Sequence, residues 1–290
     1  MQEFDYAAPR SVDEAVELLA KAGTSGRVFA GGTDLLVQMK NGPTEIRHLI
    51  DVKRIEELGV LAVEADGGLR IGAAVPCALL GEDAAVAARF PGLREAAMLI
   101  GSDQIQSRAT IAGNLCNASP AADVVPALVA LGAKCRIAGP AGSRSVPVVE
   151  FTTGPGSNIL VAGELLVSLH IPPSPPGAAD AYQRFIPRAE MDIAVVGVAA
   201  QIVLDRDGRC TAARIALGAV GPRVIAAQAA SDALVGTMLD EAALQGAAEL
   251  AREAASPISD RRAPADYRRS LVGTLTRRVA GLAATRARAA

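Results

Sequence analysis

The sequence predicts an α+β protein built from two domains, and three observations support this. Helical and strand-like segments alternate irregularly along the 290 residues. Four prolines within residues 172–177 rule out a helix or a central strand there, so we expect a stiff connector. The second half opens with two strand-like segments and continues in alanine-rich helices, as in an antiparallel sheet covered by helices on one face. We place the domain boundary between residues 176 and 177.

Composition and charge exclude several classes of protein. Aromatic residues make up 3% of the chain, so an extended stacking surface for single-stranded nucleic acid is not expected. The net charge of −2 gives no electrostatic reason to expect a nucleic acid or an anionic membrane as partner. The start of the chain lacks the basic and apolar segments of a signal peptide, and no apolar run is long enough to span a membrane. We expect a soluble, cytoplasmic protein.

The cysteines and histidines offer little material for a metal site. The cysteines stand far apart, with no C-x-x-C pair that could hold zinc or an iron–sulfur cluster, and we expect buried thiols in a reducing compartment. Two histidines are too few for a histidine-based metal site or a Ser-His-Asp triad, and each is expected to be structural. We therefore expect no metal on this chain. The residues concerned are Cys77, Cys116, Cys135, Cys210, His48 and His170.

The N-terminal segment predicts the order helix, strand, glycine turn, helix. Ser11 stands three residues before Glu14, which is the spacing of a capping box, and apolar residues follow at helical spacing until Gly23. A short strand is predicted at residues 27–30. It ends in a glycine pair, after which residues 35–40 are again helix-prone.

The same signals predict the later elements. Residues 101–120 are too polar for a packed element and are expected to form a shaped loop. The arginine-rich tail carries apolar residues at helical spacing, which favours an amphipathic helix over a nucleic-acid arm. The remaining predictions are strands at 46–51, 68–75, 165–171, 193–204 and 212–220, a hairpin at 135–146, and helices beginning at Pro76, at Pro91 and near residue 123.

The glycine pair is the first candidate site. Between a strand and a helix, two glycines let backbone N–H groups approach an anion that the helix dipole also favours. A phosphate would fit, and an ordinary strand-to-helix turn is the alternative. The chain has neither a G-x-G-x-x-G fingerprint nor a Walker motif, so no Rossmann or P-loop site is indicated. This first loop comprises Ala30, Gly31, Gly32, Thr33, Asp34 and Leu35.

The second candidate is a polar segment that begins at Thr110. Thr110 and Asn114 offer side-chain hydrogen bonds, and Gly113 allows close approach of the backbone. Further along, Asp123 can accept from a ribose hydroxyl. The alternative is a polar loop in which Asp123 caps the next helix. The second loop comprises Thr110, Ile111, Ala112, Gly113 and Asn114.

Together these segments resemble the FAD-binding subunit of the molybdenum hydroxylases, the family that includes xanthine dehydrogenase and carbon monoxide dehydrogenase. The resemblance implies a two-lobed FAD-binding domain of the vanillyl-alcohol-oxidase (PCMH) type over residues 1–176. A smaller α+β domain with an antiparallel sheet and helices follows over residues 177–290. The specific matches lie at residues 30–36, 39–40, 100–106 and 110–123, and weaker ones at 164–172, 188–194 and 266–269.

The resemblance also implies the residues that bind the cofactor. In this family the first and second loops clasp the pyrophosphate of FAD, which is expected to be noncovalently bound. Asp123 matches an acidic contact to the nucleotide, Leu166 matches a residue packed near the flavin, and Ser102 lies in a matching stretch. Two further matched positions depart from the family, because Arg184 replaces a common lysine and Ile100 replaces an aromatic residue of some relatives. A third departure is at residue 112, where alanine replaces a usual second glycine.

The function implied by the resemblance is electron transfer. No constellation of general acid and base is visible, which suits a subunit whose flavin performs the reaction. Such a subunit accepts electrons from 2Fe–2S clusters on a small subunit and passes them to NAD⁺ or another acceptor. A large molybdopterin subunit handles the substrate, within a dimer of heterotrimers. Two alternatives stay open, a stand-alone flavin oxidoreductase of the same fold and a noncatalytic assembly module that has lost FAD.

Overall fold

A computed structural model describes residues 3–41, 46–188 and 191–289. Residues 189 and 190, which belong to one of the weaker family matches, lie outside these ranges. The described chain contains a three-stranded, a five-stranded and a four-stranded sheet with helices packed on them, which confirms the α+β class. We call these three units the first lobe, the second lobe and the C-terminal domain.

The first lobe is a parallel sheet with two helices. In chain order its elements are β1 (Asp5–Ala7), α1 (Val12–Ala22), β2 (Gly26–Phe29), α2 (Leu35–Asn41) and β3 (His48–Asp51). The strand order is β1-β3-β2, and all three strands run in the same direction. Their carboxyl ends therefore lie at one edge of the sheet, and the first loop leaves β2 at that edge.

Helix α1 forms where the capping signals predict it. The Oγ of Ser11 accepts a hydrogen bond from the N–H of Glu14 at 3.1 Å, and Oε2 of Glu14 accepts one from the N–H of Arg10 at 2.8 Å. Gly23 ends the helix with φ of +55°, and its N–H donates to the carbonyl of Leu19. The predicted start and end of this helix are both confirmed.

Replacement of Ser11 by alanine removes the acceptor for the Glu14 N–H group. We expect the free energy of unfolding to fall by about 1 kcal/mol, as for other N-cap serines. Urea unfolding followed by circular dichroism measures this loss. Ser11→Asp, which keeps an acceptor, should restore most of the stability, and equal losses in both variants would contradict the capping role.

The second lobe is an antiparallel sheet flanked by short helices. In chain order its elements are β4 (Leu61–Val63), β5 (Leu69–Gly72), α3 (Cys77–Glu82), α4 (Ala84–Arg89), α5 (Pro91–Ala97), α6 (Asp103–Gln106), α7 (Ile111–Cys116), α8 (Val124–Ala130), β6 (Lys134–Gly139), β7 (Gly142–Pro147), α9 (Val148–Phe151), β8 (Thr152–Gly154), β9 (Ser157–Asn158) and β10 (Leu165–Ile171). The strand order of the main sheet is β4-β5-β10-β6-β7, and β8 pairs with β9. One hydrophobic core joins this lobe to α1 of the first lobe.

The prediction of a loop across residues 101–120 is wrong in part, because α6 and α7 lie within it. Ile111 and Leu115 are one helical turn apart and are 1% and 0% exposed, so α7 packs into the core. Of the polar residues that suggested a loop, Thr110 caps α7, whereas Asn114 lies within α7 and two glutamines lie within α6. Helix α5 begins at Pro91, as predicted, and ends at Ala97.

The C-terminal domain is an antiparallel sheet covered by helices. Its elements are β11 (Ala178–Phe185), β12 (Val196–Leu204), β13 (Cys210–Gly218), β14 (Ile225–Ala226), α10 (Gln228–Asp232), α11 (Glu241–Ala254) and α12 (Ala265–Ala289). The predicted hairpin β12-β13 and the amphipathic tail helix α12, which buries Leu275 and Val279, are confirmed. Strand β11 was not predicted. Within the described residues, no helix has both the length and the apolar character needed to cross a membrane.

Strand β11 connects the C-terminal domain to the second lobe. The buried carboxylate of Asp180 accepts a hydrogen bond from the N–H of Leu93 at 3.0 Å, in the first turn of α5. Glu95 of the same helix accepts from the N–H of Tyr182 at 3.0 Å and pairs with Arg286 of α12. Burial raises the pKa of Asp180 to about 7. Helix α5 is thus held from both the sheet and the last helix of the C-terminal domain.

Candidate functional site

The first loop passes so close to other backbone that its two glycines are required. A Cβ at Gly31 would lie 2.0 Å from the carbonyl oxygen of Arg108. Gly32 has φ of +75°, in the left-handed region that favours glycine. A Cβ at Gly32 would also lie 2.3 Å from the ring of Phe29. Any side chain at either position would push the loop away from its neighbours.

The backbone N–H groups of the first loop are left free by the fold. Within the described part of the chain, no group accepts a hydrogen bond from the N–H groups of residues 31–35. The internal bonding of α2 begins with the N–H of Leu36, which donates to the carbonyl of Gly32 at 3.0 Å. The following bond joins the N–H of Gln38 to the carbonyl of Asp34, also at 3.0 Å. Five successive donors, including those of Thr33 and Leu35, are therefore open to an anionic ligand.

Lys53 contacts the first loop from the end of β3. Its Nζ donates to the carbonyl of Ala30 at 3.1 Å and pairs with Asp51 at 2.7 Å. The same ammonium lies 4.0 Å from the ring centre of Phe29. Tyr6 donates to the other oxygen of Asp51 at 2.5 Å. Burial acts to raise the pKa of Asp51, but the hydrogen bonds from Lys53 and Tyr6 outweigh it and hold the pKa below its usual value.

The second loop forms the first turn of α7. Oγ1 of Thr110 accepts from the N–H of Gly113 at 2.8 Å, and the Thr110 carbonyl accepts from the N–H of Asn114 at 2.9 Å. The antiparallel bridge between Pro76 and Thr110 directs the N–H group of Ile111 to the carbonyl of Val75, whereas the N–H group of Ala112 has no acceptor among the described residues. Oδ1 of Asn114 is buried and has no partner among the described residues either. A Cβ at Gly113 would meet Oγ1 of Thr110 at 2.9 Å and nothing else within 4 Å, so open space begins there.

The structure brings the first and second loops together. Gly31 packs on the backbone of Arg108, which precedes the second loop. On the other side, Nε2 of Gln38 in α2 donates to Oδ1 of Asn117, just after α7, at 3.0 Å across 79 positions of sequence. The unpaired N–H groups of both loops therefore lie at the junction of the two lobes.

Four predicted residues of the second lobe, Ala112 of the second loop among them, lie within α7, at the start of α6 or against the core. Ala112 has a helical backbone inside α7 and is 2% exposed, so its replacement of a glycine requires no positive φ. Ser102 is the N-cap residue of α6, although its side chain makes no capping bond. Ile100 is partly buried against the core. Leu166 is 4% exposed in the central strand β10, against which α7 packs.

Asp123 and Arg184 form a buried ion pair between the second lobe and β11. Nη1 of Arg184 donates to Oδ2 of Asp123 at 2.5 Å, and the side chains are 6% and 10% exposed, respectively. The hydroxyl of Tyr182 donates to Oδ1 at 2.8 Å. Burial raises the pKa of Asp123 to about 6, while Arg184 and Tyr182 act in the opposite direction. The alternative in which Asp123 caps α8 is wrong, because its side chain makes no capping bond.

The residues that could form a covalent bond to a flavin are poorly suited to it. Cys116 ends α7, and burial raises the pKa of its thiol to about 12, so the nucleophilic thiolate is absent at neutral pH. His170 lies in β10 with Nε2 2.9 Å from the hydroxyl of Ser168. His48 lies in β3 with Nδ1 3.3 Å from Asp5. Both histidines lie outside the two loops.

Two residues that contact the site were not predicted. The sequence did contain a signal for Tyr182. Residues 180, 182 and 184 carry polar side chains at every second position, which is the pattern of a β-strand with one polar face. The sequence contained no such signal for Lys53, because nothing in it places this residue beside Ala30. Its contact depends on the parallel pairing of β2 with β3, which brings distant segments together.

The arrangement can hold an extended anionic cofactor. Unpaired N–H groups on two adjoining loops can donate to phosphate oxygens, and each such charge-assisted bond contributes about 1.5–3 kcal/mol. The space at Gly113 leaves room for the ligand, and the unpaired oxygen of Asn114 can accept a hydrogen bond from it. These residues fit a dinucleotide cofactor such as FAD, which carries both a pyrophosphate and hydrogen-bond donors. Fold and site together define a protein that binds a nucleotide cofactor.

Comparisons with known proteins identify the family and its cofactor. Residues 2–174 match the family model for the FAD binding domain in molybdopterin dehydrogenase, and residues 172–283 match that for the CO dehydrogenase flavoprotein C-terminal domain. The chain is 35% identical over 285 residues to the carbon monoxide dehydrogenase medium chain of Afipia carboxidovorans, covering 98% of each. It is 34% identical over 280 residues to the putative xanthine dehydrogenase FAD-binding subunit of Escherichia coli, covering 95% of each. The structure of reconstituted CO dehydrogenase from Oligotropha carboxidovorans superimposes with a TM-score of 0.93 at 35% identity, covering 98% of this chain and 99% of that one.

The chain belongs to the family of FAD-binding medium subunits of the molybdenum hydroxylases. It is thus a flavoprotein subunit of the oxidoreductase class, as its relatives are subunits of dehydrogenases. The predicted architecture, an FAD-binding domain followed by a smaller flavoprotein domain, is confirmed.

Proposed function

We propose that this chain transfers electrons within a molybdenum hydroxylase complex and holds FAD noncovalently between its first and second loops. The observation that carries the proposal is the contact between the two loops, with the N–H groups of residues 31–35 and of residue 112 unpaired among the described residues.

Each part of the site has its own role in this proposal. The free N–H groups of both loops bind the pyrophosphate, and Oδ1 of Asn114 accepts a hydrogen bond from the cofactor. Asp123 and Arg184 contact it from the junction with β11, while Ile100, Ser102 and Leu166 form the surrounding wall. FAD, when bound, supplies the redox chemistry, exchanging single electrons with iron–sulfur clusters and electron pairs with NAD⁺ or another acceptor. The chain itself binds and orients the cofactor.

The proposed partners are a large molybdopterin subunit and a small subunit with 2Fe–2S clusters, in a dimer of heterotrimers in the cytoplasm. The names of the relatives support this, because one is a medium chain and another an FAD-binding subunit. In the described part of this chain, no group of three His, Cys, Asp or Glu side chains could hold a metal ion. We assign the substrate chemistry to the large molybdopterin subunit.

Purification of the tagged full chain from its native cells tests the proposal. We expect FAD, molybdenum and iron to be recovered in a fixed proportion to the chain, together with two further subunits. Isolation of the chain alone as an active flavin oxidoreductase would contradict it and select the stand-alone alternative. A colourless chain that gains no yellow absorbance on titration with FAD would select the assembly module.

Replacement of Lys53 by methionine is expected to weaken FAD binding about tenfold, because the Ala30 carbonyl loses a charged hydrogen-bond donor and the first loop loosens. Quenching of FAD fluorescence on binding measures the dissociation constant. Lys21→Met on the exposed side of α1 is the matched control and should bind FAD as the wild type does. Equal affinities of the two variants would show that Lys53 does not support the loop.

A further inference from the structure

Strand β11 presents three polar side chains to the FAD-binding domain. Asp180, Tyr182 and Arg184 stand at alternate positions and therefore share one face of the strand. Asp180 bonds to the N–H of Leu93, and the other two side chains bond to Asp123. The C-terminal domain thus contacts, through this face, a carboxylate that belongs to the other domain.

The two partners of Asp123 contribute different things. A buried carboxylate needs charged or hydrogen-bonding partners, and Asp123 is 8% exposed. Arg184 supplies the opposite charge at Oδ2. Tyr182 carries no charge, and its hydroxyl donates a hydrogen bond to Oδ1 that favours the ionised carboxylate. This bond also contributes direction, because a second bond on the other oxygen prevents the carboxylate from rotating about its pairing with Arg184.

The neighbouring strand leaves room for this hydroxyl. Gly197 of β12 is the register partner of Arg184, and a Cβ at Gly197 would lie 2.7 Å from the hydroxyl oxygen of Tyr182. Tyr182 is 2% exposed, so water does not compete for the bond. The ring of a phenylalanine would fit the same space. The hydroxyl therefore adds one interaction to this site, its bond to Asp123.

We propose that Tyr182 is a positioning residue of the flavin site, whose hydroxyl orients the carboxylate of Asp123 for a hydrogen bond with bound FAD. This inference rests on the proposed function, which takes Asp123 to contact the cofactor. Each carboxylate oxygen can accept a second hydrogen bond beside the one it already has. The C-terminal domain thus completes a cofactor contact that the FAD-binding domain supplies.

The arrangement makes FAD binding depend on pH in a defined direction. Tyr182 and Arg184 on β11 are the titratable and charged groups that act on Asp123, and Glu95 of α5 contacts Tyr182 through its backbone N–H. The ionised carboxylate accepts hydrogen bonds, so binding strengthens as the pH rises through the pKa of Asp123, about 6. Loss of the Tyr182 hydroxyl removes a bond to the ionised form and raises this pKa further.

The test is the FAD dissociation constant of Tyr182→Phe in the full chain, measured by fluorescence quenching from about pH 5 to about pH 9. We expect it to rise about tenfold near neutral pH, and the midpoint of its pH dependence to move up by about one unit. A merely structural role would weaken binding without moving the midpoint. Tyr267→Phe, in which the exposed tyrosine of α12 loses its hydroxyl, is the matched control and should change neither quantity.

A double-mutant cycle with Asp123→Asn decides whether the two residues act together. Asp123→Asn should have a flat pH profile, and adding Tyr182→Phe to it should change the dissociation constant less than about twofold. The proposal is overturned if Tyr182→Phe binds FAD as the wild type does, or weakens binding equally with and without the Asp123 carboxylate. If Tyr182→Phe does not fold, Gly197→Ala, which displaces the same hydroxyl, must give the same midpoint shift. A wild-type chain that binds no FAD would instead contradict the proposed function.

Discussion

Replacement of Gly113 by leucine is expected to abolish FAD binding while leaving the chain folded. A Cβ at this position meets only Oγ1 of Thr110, and beyond it lies open space next to the free N–H group of Ala112. The leucine side chain would occupy the place proposed for the pyrophosphate. We expect the affinity to fall at least about a hundredfold, which corresponds to the loss of one or two charge-assisted bonds. Fluorescence quenching and the flavin absorbance of the purified chain measure this.

The structure makes Gly113 a sharper probe than the glycines of the first loop. A side chain at Gly31 would strike the backbone of Arg108, and one at Gly32 would strike the ring of Phe29, so both would disturb the fold itself. At Gly113 the expected loss of stability is about 1 kcal/mol, from the displaced Thr110 cap.

The matched control for the Gly113 variant is Gly246→Leu in α11, where a side chain also meets open space. It should bind FAD as the wild type does. Normal flavin content in a folded Gly113→Leu chain would remove the second loop from the cofactor site.

Replacement of Arg184 by methionine is expected to destabilise the chain by about 3–5 kcal/mol at neutral pH, because it leaves the buried carboxylate of Asp123 without a counter-charge. Methionine keeps most of the volume of the side chain, so the loss reports the charge rather than a cavity. Urea unfolding measures the free energy. Arg278→Met, an exposed arginine of α12, is the control and should change stability by less than about 0.5 kcal/mol.

The pH dependence of this loss follows from the pKa of Asp123. In the folded chain the pKa is about 6, above the ordinary value of 3.8. The protonated carboxyl therefore favours folding at low pH, and this contribution is lost as the pH rises through the folded-state pKa. Removal of Arg184 raises that pKa further, so the variant's deficit should be largest at alkaline pH, should shrink as the pH falls toward about 6, and should level off below it. A deficit that stays constant across this range would contradict the buried ion pair.

The elements predicted correctly from sequence are those whose signals are local. The cap at Ser11 and the stop at Gly23 act within a few residues of the helix they delimit, and the glycine pair marks the turn after β2. The segment at residues 101–120 failed for the opposite reason. Its helices are stabilised by burying Ile111 and Leu115 in a core formed by distant residues, which composition does not reveal.

The two loops of the candidate site were predictable from the sequence, but their contact with each other was not. The glycine pair of the first loop fitted a phosphate, and the family resemblance implied a phosphate contact for the second loop. The bond between Gln38 and Asn117 that joins the two loops depends on the packing of two lobes. The contact of Arg184 with a distant residue was likewise not predictable from the sequence. Its replacement of a lysine has no explanation in the sequence, and the structure supplies one in the buried pairing with Asp123, to which Tyr182 adds its hydroxyl.

Amide hydrogen exchange of the full chain, with and without FAD, tests the central claim most directly because it observes the N–H groups themselves. Bound FAD is predicted to slow exchange at residues 31–35 and at residue 112 together, since the free donors of both loops would then bond to its phosphates. Exchange at either loop that stays as fast with FAD bound as without it would contradict a cofactor held between them.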